Sequence, residues 1–267
     1  KGRFAVVDVR NDAEIADVSD QFKAMVPACE KASRQLFDID RFRQTLRLSK
    51  EATDLWKKVL ATARQSPAPL SFFDGTIHMG PIVVLRGTQA AKDYYQELLN
   101  ELMNNVAANT GVVQNEQSRL FWDGMPIWGK LRSLSDLFIQ HNSVVVASTY
   151  CNSWVFDAFD EKDPFDSSAK AYTEIFINRS ENAKMHMLKQ MVDDFRVDGI
   201  IFHDAKTCFN NSNARFGLPL RFYKEYGIPV LVIEGDLCDL RFYSEGQTTT
   251  RIETFLEQLV SQKMVPN

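Results

Sequence analysis

Apolar positions along this chain follow two different periods. After Asp38, a residue type that caps helix N-termini, apolar side chains recur at Ile39, Phe42, Leu46, Trp56, Val59, Leu60 and Ala63. That is helical spacing, interrupted by polar residues around Ser49, and Pro67 and Pro69 end it. A second helix is expected over Ala90–Ala107, where Tyr94, Tyr95, Leu98, Leu99, Leu102, Met103 and Val106 form one wide apolar face and Asn109-Thr110-Gly111 closes it. Between the two, Phe72 to Leu85 is ambiguous: Pro81-Ile82-Val83-Val84-Leu85 has the composition of a strand, tightly framed by Gly80 and Gly87. The opening Phe4-Ala5-Val6-Val7 reads as a strand.

From Arg119 onward the rhythm changes. Strands are expected at Leu120-Phe121-Trp122, Val144 to Ser148, Gly199 to His203 and Pro229 to Ile233. Helices are expected between and after them: around Leu131–Phe138, Ala169–Ile177, Ala183–Phe195 and Leu218–Tyr226, then a last one opened by a capping-box pattern, Ser244 to Gln247, and lined by Ile252, Phe255, Leu256 and Leu259. The strands are continuous β-branched runs, the composition of strands buried on both faces. Alternating strands and helices imply an α/β fold with a doubly wound parallel sheet of about four strands, preceded by a mainly helical connecting region. The expected division is 1–112, the end of an N-terminal α/β domain plus the helical region, and 113–267, the C-terminal α/β domain.

Composition narrows the classes. The chain has 267 residues, 45% of them hydrophobic, which is enough for a sizeable core. Its formal net charge is −4, so no basic excess exists to neutralise phosphates, and nucleic acid is not an expected partner. Apolar runs such as Pro81–Leu85 and Val144–Ala147 fall far short of the ~20 residues that span a bilayer, so no membrane partner is expected. The chain starts without Met and opens in a strand, from which a missing N-terminal part is expected. Its four cysteines, Cys29, Cys151, Cys208 and Cys238, are scattered and form no C-x-x-C. They read as reduced thiols of a cytoplasmic protein, Cys29 and Cys238 as small buried hydrophobes.

In open α/β sheets, ligands bind beyond the carboxyl ends of the strands. Four loops qualify: Asp123 to Pro126, Thr149 to Trp154, Asp204 to Asn213 and Gly235 to Asp239. Three of the four cysteines fall on this edge. The third loop is the most unusual, with Lys206, Cys208 and the asparagines Asn210, Asn211 and Asn213. From composition alone it reads as a polar surface loop with an incidental thiol. No G-x-G-x-x-G, P-loop or G-x-S-x-G is present. His203 is either a base or a hydrogen-bonded rim residue, and the second is the more ordinary reading. The acidic residues Asp157, Asp160, Glu161, Asp163 and Asp166 read as a solvated face, and the Asp8/Asp12 pair as turn chemistry.

The string Asp198-Gly199-Ile200-Ile201-Phe202-His203-Asp204-Ala205-Lys206-Thr207-Cys208 resembles the cluster-ligand segment of the 2-hydroxyacyl-CoA dehydratase and benzoyl-CoA reductase family. Tyr226 to Asp236, Thr250 to Glu257, Asp123 to Pro126 and Val145 to Cys151 resemble it too. Within the family, Tyr150 to Trp154 and Lys206 to Asn213 lean toward a benzoyl-CoA reductase subunit. The resemblance implies an oxygen-sensitive enzyme of two related subunits, each holding a 4Fe–4S cluster through three cysteines. Cys208 matches the third of these metal ligands. The first two have no counterpart here, since the matching region would precede Lys1. Asn210 and Asn211 are expected to supply hydrogen bonds around the cluster sulfurs. The implied partners are a homologous second cluster-binding subunit, an ATP-hydrolysing electron activator and an acyl-CoA substrate. The implied reaction is low-potential electron transfer to an aromatic acyl-CoA, or alternatively radical elimination of water from a 2-hydroxyacyl-CoA. A non-catalytic scaffold subunit is a further alternative. Lys206, Arg215 and Arg132 are available for the CoA phosphates.

Overall fold

The structure is a computed structural model that describes residues 11–264, apart from the side chains of residues 11–13, 210 and 215. The opening strand expected at Phe4–Val7 and the carboxylates of Asp8 and Asp12 lie outside the described residues. The described residues begin with five helices, α1 (Asn11–Ser33), α2 (Ile39–Ala61), α3 (Phe72–His78), α4 (Gly80–Val84) and α5 (Gln89–Ala107). It continues as β1 (Ser118–Asp123), α6 (Leu131–Gln140), β2 (Ser143–Ser148), α7 (Thr149–Asn152), α8 (Pro164–Thr173), α9 (Glu181–Phe195), β3 (Gly199–Ala205), α10 (Leu218–Tyr226), β4 (Val230–Gly235) and α11 (Glu245–Met264).

The strands form one parallel sheet in the order β2-β1-β3-β4. The chain steps from β1 outward to β2, then returns past β1 to β3 and β4. Right-handed crossovers in opposite directions put helices on opposite faces. Accordingly, α6 packs on one face through Leu134, Leu137 and Phe138, with α11 beside it through Ile252, Phe255, Leu256 and Leu259. The other face carries α9 through Met185, Leu188, Val192 and Phe195, and α10 through Leu218 and Phe222. Strand residues alternate between the two cores: Leu120, Trp122, Ile201 and Ile233 go to the first, Phe121, Ile200 and Phe202 to the second. A parallel sheet with helices on both faces is what the alternating pattern implied.

The helical region packs onto the α6 face. Trp56 and Val59 of α2, Phe72 and Phe73 of α3, Ile82 of α4 and Tyr95, Leu98 and Leu102 of α5 share one core with Trp122 and Phe138. Asp38 caps α2 as expected, its carboxylate accepting from the Asp40 and Arg41 N–H groups. The stretch from Pro81 to Leu85 is no strand. Residues 80–84 form a short helix, held because the Tyr95 hydroxyl accepts from Ile82 N at 2.8 Å and donates to His78 O at 2.9 Å. The preceding helix is started by a capping box between Ser71 and Asp74. The helix expected over Ala169–Ile177 instead starts at Pro164 and ends at Thr173. The acidic stretch is exposed, but part of it pairs with the helical region: Asp157 with Lys57 at 2.7 Å, Glu161 with Arg47 at 3.8 Å and Asp166 with Lys23 at 3.3 Å.

Candidate functional site at the strand ends

The chain's change of direction places a switch point between β1 and β3, whose following helices α6 and α10 pack on opposite faces of the sheet. β1 ends on Asp123, and Gly124 follows with φ +98°. A Cβ on Gly124 would lie 2.9 Å from His203 O and 3.1 Å from Asn211 O, so glycine lets the β1 loop cross the end of β3. Its N–H donates to Thr149 Oγ1 at 2.9 Å, which ties the end of β1 to the residue after β2.

Asp123 is buried, and burial pushes its carboxyl up to about 6, against the opposing pull of hydrogen bonds from Asn213 and Thr149 and of the nearby Lys184 charge. Its Oδ2 accepts from Asn213 Nδ2 at 3.0 Å, and Asn213 Oδ1 accepts from Lys184 Nζ of α9 at 3.2 Å. On the opposite face of the sheet, His203 is buried with Nδ1 at 2.7 Å from Met125 O. A carbonyl only accepts, so Nδ1 carries the proton and Nε2 presents a lone pair. Burial lowers the His203 pKa and keeps the ring neutral. Glycine at 235 leaves room for that ring, since a Cβ there would lie 2.9 Å from Nε2. Among the described residues, the buried side-chain polar atoms without a hydrogen-bond partner are Ser118 Oγ, Asp123 Oδ1, His203 Nε2 and Asn211 Oδ1. All but Ser118 lie at this one end of the sheet. Buried polar groups are ordinarily paired, so their concentration sets this end of the sheet apart.

The four thiols are all free, and they differ sharply in setting. Cys29 and Cys238 are exposed, contrary to the burial expected of them: Cys29 lies on the outer helix α1, and Cys238 in the loop beyond β4. Cys151 is buried, pushed up to about 11 by that burial, and its Sγ lies against Gly75 and Thr76 of α3. Cys208 is partly exposed at the rim. Tyr150 lies among the thiols of the sheet edge: burial first, and then proximity to Cys151, Cys208 and Cys238, raises its phenol pKa.

The loop that carries Cys208 begins later than expected, because β3 runs on to Ala205. Ser212 Oγ lies 2.9 Å from Ala205 O and 2.7 Å from Cys208 O, and closes the loop on itself. Asn211 is buried in it, and the Asn210 side chain lies outside the described residues. Of the cations available to a CoA phosphate, Lys206 is flanked by Asp204 at 3.6 Å and Glu234 at 3.5 Å, Arg132 is exposed on α6, and the Arg215 side chain lies outside the described residues. A separate cleft of about 540 Å³ lies between α2, α8 and α9. Its cations Lys57, Arg64 and Arg179 are each matched by a carboxylate, so it offers phosphates no net charge.

An iron–sulfur cluster needs several thiolates converging on one volume. Among the described residues, no group of three or more Cys, His, Asp or Glu side chains is placed to hold a metal ion. Cys151 is buried and Cys208 partly exposed, and these residues do not enclose a cluster by themselves. The Asp123–Asn213 pair and Asp236 were not singled out from sequence. A carboxylate ending an apolar strand immediately before glycine, as in Phe121-Trp122-Asp123-Gly124, is the signal that was available.

Among the described residues, no helix is long and apolar enough to cross a membrane. The chain is 30% identical over 251 residues to a benzoyl-CoA reductase subunit of Thauera aromatica, covering 90% of this chain and 58% of that protein. It is 28% identical over 246 residues to the (R)-phenyllactyl-CoA dehydratase alpha subunit of Clostridium sporogenes, covering 91% and 59%. It is 26% identical over 250 residues to the alpha subunit of (R)-2-hydroxyglutaryl-CoA dehydratase of Acidaminococcus fermentans, covering 93% and 52%. The chain thus spans between half and three fifths of the length of these curated relatives. The family 2-hydroxyglutaryl-CoA dehydratase, D-component, matches residues 2–259, and the chain belongs to that family.

Proposed function

We propose that this chain is an iron–sulfur subunit of an anaerobic benzoyl-CoA reductase, an oxidoreductase of heteromeric make-up. The observation that carries this reading is the 30% identity to a benzoyl-CoA reductase subunit across 90% of the chain. A partly exposed Cys208 in the loop that leaves the carboxyl end of β3 supports it. In this reading Cys208 gives one thiolate to a 4Fe–4S cluster, and the remaining ligands come from outside the described residues. A homologous second subunit sits alongside, and an ATP-hydrolysing activator delivers low-potential electrons. Two electrons and two protons add to the ring of the aromatic acyl-CoA, giving a dienoyl-CoA. The complex works in the cytoplasm, where its thiols stay reduced.

A second reading is a subunit of a 2-hydroxyacyl-CoA dehydratase, a lyase that forms an enoyl-CoA by loss of water. The dehydratase alpha subunits at 28% and 26% identity favour it.

Anaerobic co-expression with the partner subunit and activator separates the readings. Dienoyl-CoA from benzoyl-CoA supports the first, and enoyl-CoA from a 2-hydroxyacyl-CoA the second. Cys208→Ser is expected to lose the iron and sulfide held by this chain together with turnover. Full iron content and turnover in that variant would overturn Cys208 as a ligand. Iron confined to the partner in the unaltered protein would make this chain a scaffold.

A further inference from the structure

We infer that Asp236 is a positioning residue that clamps the Cys208 loop to the neighbouring loop beyond β4. The inference deepens the reading of Cys208 as the working thiol and rests on that reading for its functional meaning. Its geometry stands apart from any cluster.

β3 and β4 pair in register up to Ala205 and Gly235, and Lys206 N donates to Gly235 O at 3.0 Å. Beyond that point the sheet ladder stops, and a single side chain takes over its task. Asp236 is 3% exposed. Its Oδ2 accepts from Thr207 N at 2.8 Å and from Thr207 Oγ1 at 2.8 Å. Its Oδ1 lies 3.1 Å from Thr207 Oγ1 and 3.5 Å from Cys238 N. One carboxylate therefore grips the residue before Cys208 through both backbone and side chain, and reaches the backbone of Cys238 as well. Hydrogen bonds to an ionised acceptor are the stronger kind, and a buried carboxylate needs several of them to offset its desolvation.

Past Cys208 the loop is held from two further sides. The Ser212 hydroxyl lies 2.7 Å from Cys208 O, and Asn213 is bound to Asp123 at the end of β1. Cys208 therefore sits between anchors on β4, β3 and β1, with its thiol at the partly exposed rim. Removing the Asp236–Thr207 contact loosens the loop beyond Lys206, while the backbone bond from Lys206 to Gly235 and the anchors from Ser212 and Asn213 remain.

The test is the rate at which iodoacetamide alkylates Cys208 in the intact protein, purified without oxygen and freed of iron by a chelator. Peptide mass spectrometry reads each site, with exposed Cys29 on α1 as the internal reference. Asp236→Asn and Thr207→Val are each expected to speed Cys208 relative to Cys29 by about tenfold, the change that losing one charge-assisted hydrogen bond produces. Thr207→Ser, which keeps the hydroxyl, is expected to match the unaltered protein. Thr207 is exposed, so Thr207→Val decides the matter if Asp236→Asn fails to fold. A Cys208-to-Cys29 ratio that stays within about twofold in Thr207→Val, or a Thr207→Ser variant as fast as Thr207→Val, overturns the clamp. Iron content of the protein before chelation tests the ligand role separately, so an iron-free preparation with an intact clamp would count against the proposed function alone.

Discussion

A carboxylic acid placed at the end of a buried strand gives up most of its hydration, and its ionised form is the one that suffers. Asp123 is the case here, with its pKa pushed up to about 6 by burial while Asn213 and Thr149 oppose the shift. An unfolded chain would ionise the same group at its ordinary value of 3.8. Below that value both states are protonated, and the contribution to stability is at its greatest. As pH rises through the interval, the unfolded chain releases its proton first, so the contribution falls and is lost once pH passes the folded value. At ~1.4 kcal/mol per pKa unit, the loss amounts to about 3 kcal/mol. Asp123→Asn removes this pH dependence. The stability of the unaltered protein minus that of the variant is expected to fall by about that amount between roughly pH 4 and pH 7 in urea titrations. Two parallel pH profiles would refute the assignment.

At the scale of elements, the short helices α3 and α4 depend on particular hydrogen bonds more than on periodicity. Helices of this length are unstable alone, because nucleation costs more than one turn returns. Ser71 Oγ accepts from Asp74 N at 3.2 Å and donates to Asp74 Oδ2 at 2.6 Å, while Ser71 N donates back to the same carboxylate at 3.2 Å. Ser71→Ala is expected to cost about 1–2 kcal/mol and to speed amide exchange first over residues 72–78. Unchanged protection there would mean that packing of Phe72 and Phe73 alone holds α3. The strand composition of Pro81–Leu85 misled for a related reason. Val83 and Val84 are exposed, so their β-branched character reports no buried strand, and the buried anchor Ile82 is fixed by Tyr95 of the following helix.

At the scale of the molecule, the helical region and the sheet share one core, and two side chains tie them. Trp56 is fully buried, its indole N–H donates to Cys151 O at 3.1 Å, and its ring lies 5.2 Å from that of Tyr95. Arg119 at the start of the sheet donates to Ala63 O at 2.6 Å, Gln65 O at 3.0 Å and Phe195 O at 3.0 Å, and pairs with the buried carboxylate of Glu116 at 2.6 Å. It joins the turn after α2 to both β1 and α9. Truncating Trp56→Ala opens a cavity across this seam and is expected to cost about 3–5 kcal/mol in a single cooperative denaturant transition. Separate transitions for helical and sheet regions, with only the first shifted, would show that the seam does not couple them.

The sequence by itself determined the alternation of strands and helices, because burial on both faces demands continuous apolar runs. It also determined the edge of the sheet on which the four candidate loops gather, because parallel strands present all their carboxyl ends together. Positions of Cys208, Asn211 and His203 on that edge followed directly. Tertiary structure decided what those residues touch. Cys151 turns toward α3, Cys238 lies exposed, and Asp123 and Asp236 become the groups that pin the Cys208 loop. Such roles come from side chains whose sequence separation is large, Asp123 with Asn213 and Thr207 with Asp236, and local periodicity carries no record of contacts made only when the strands are laid side by side.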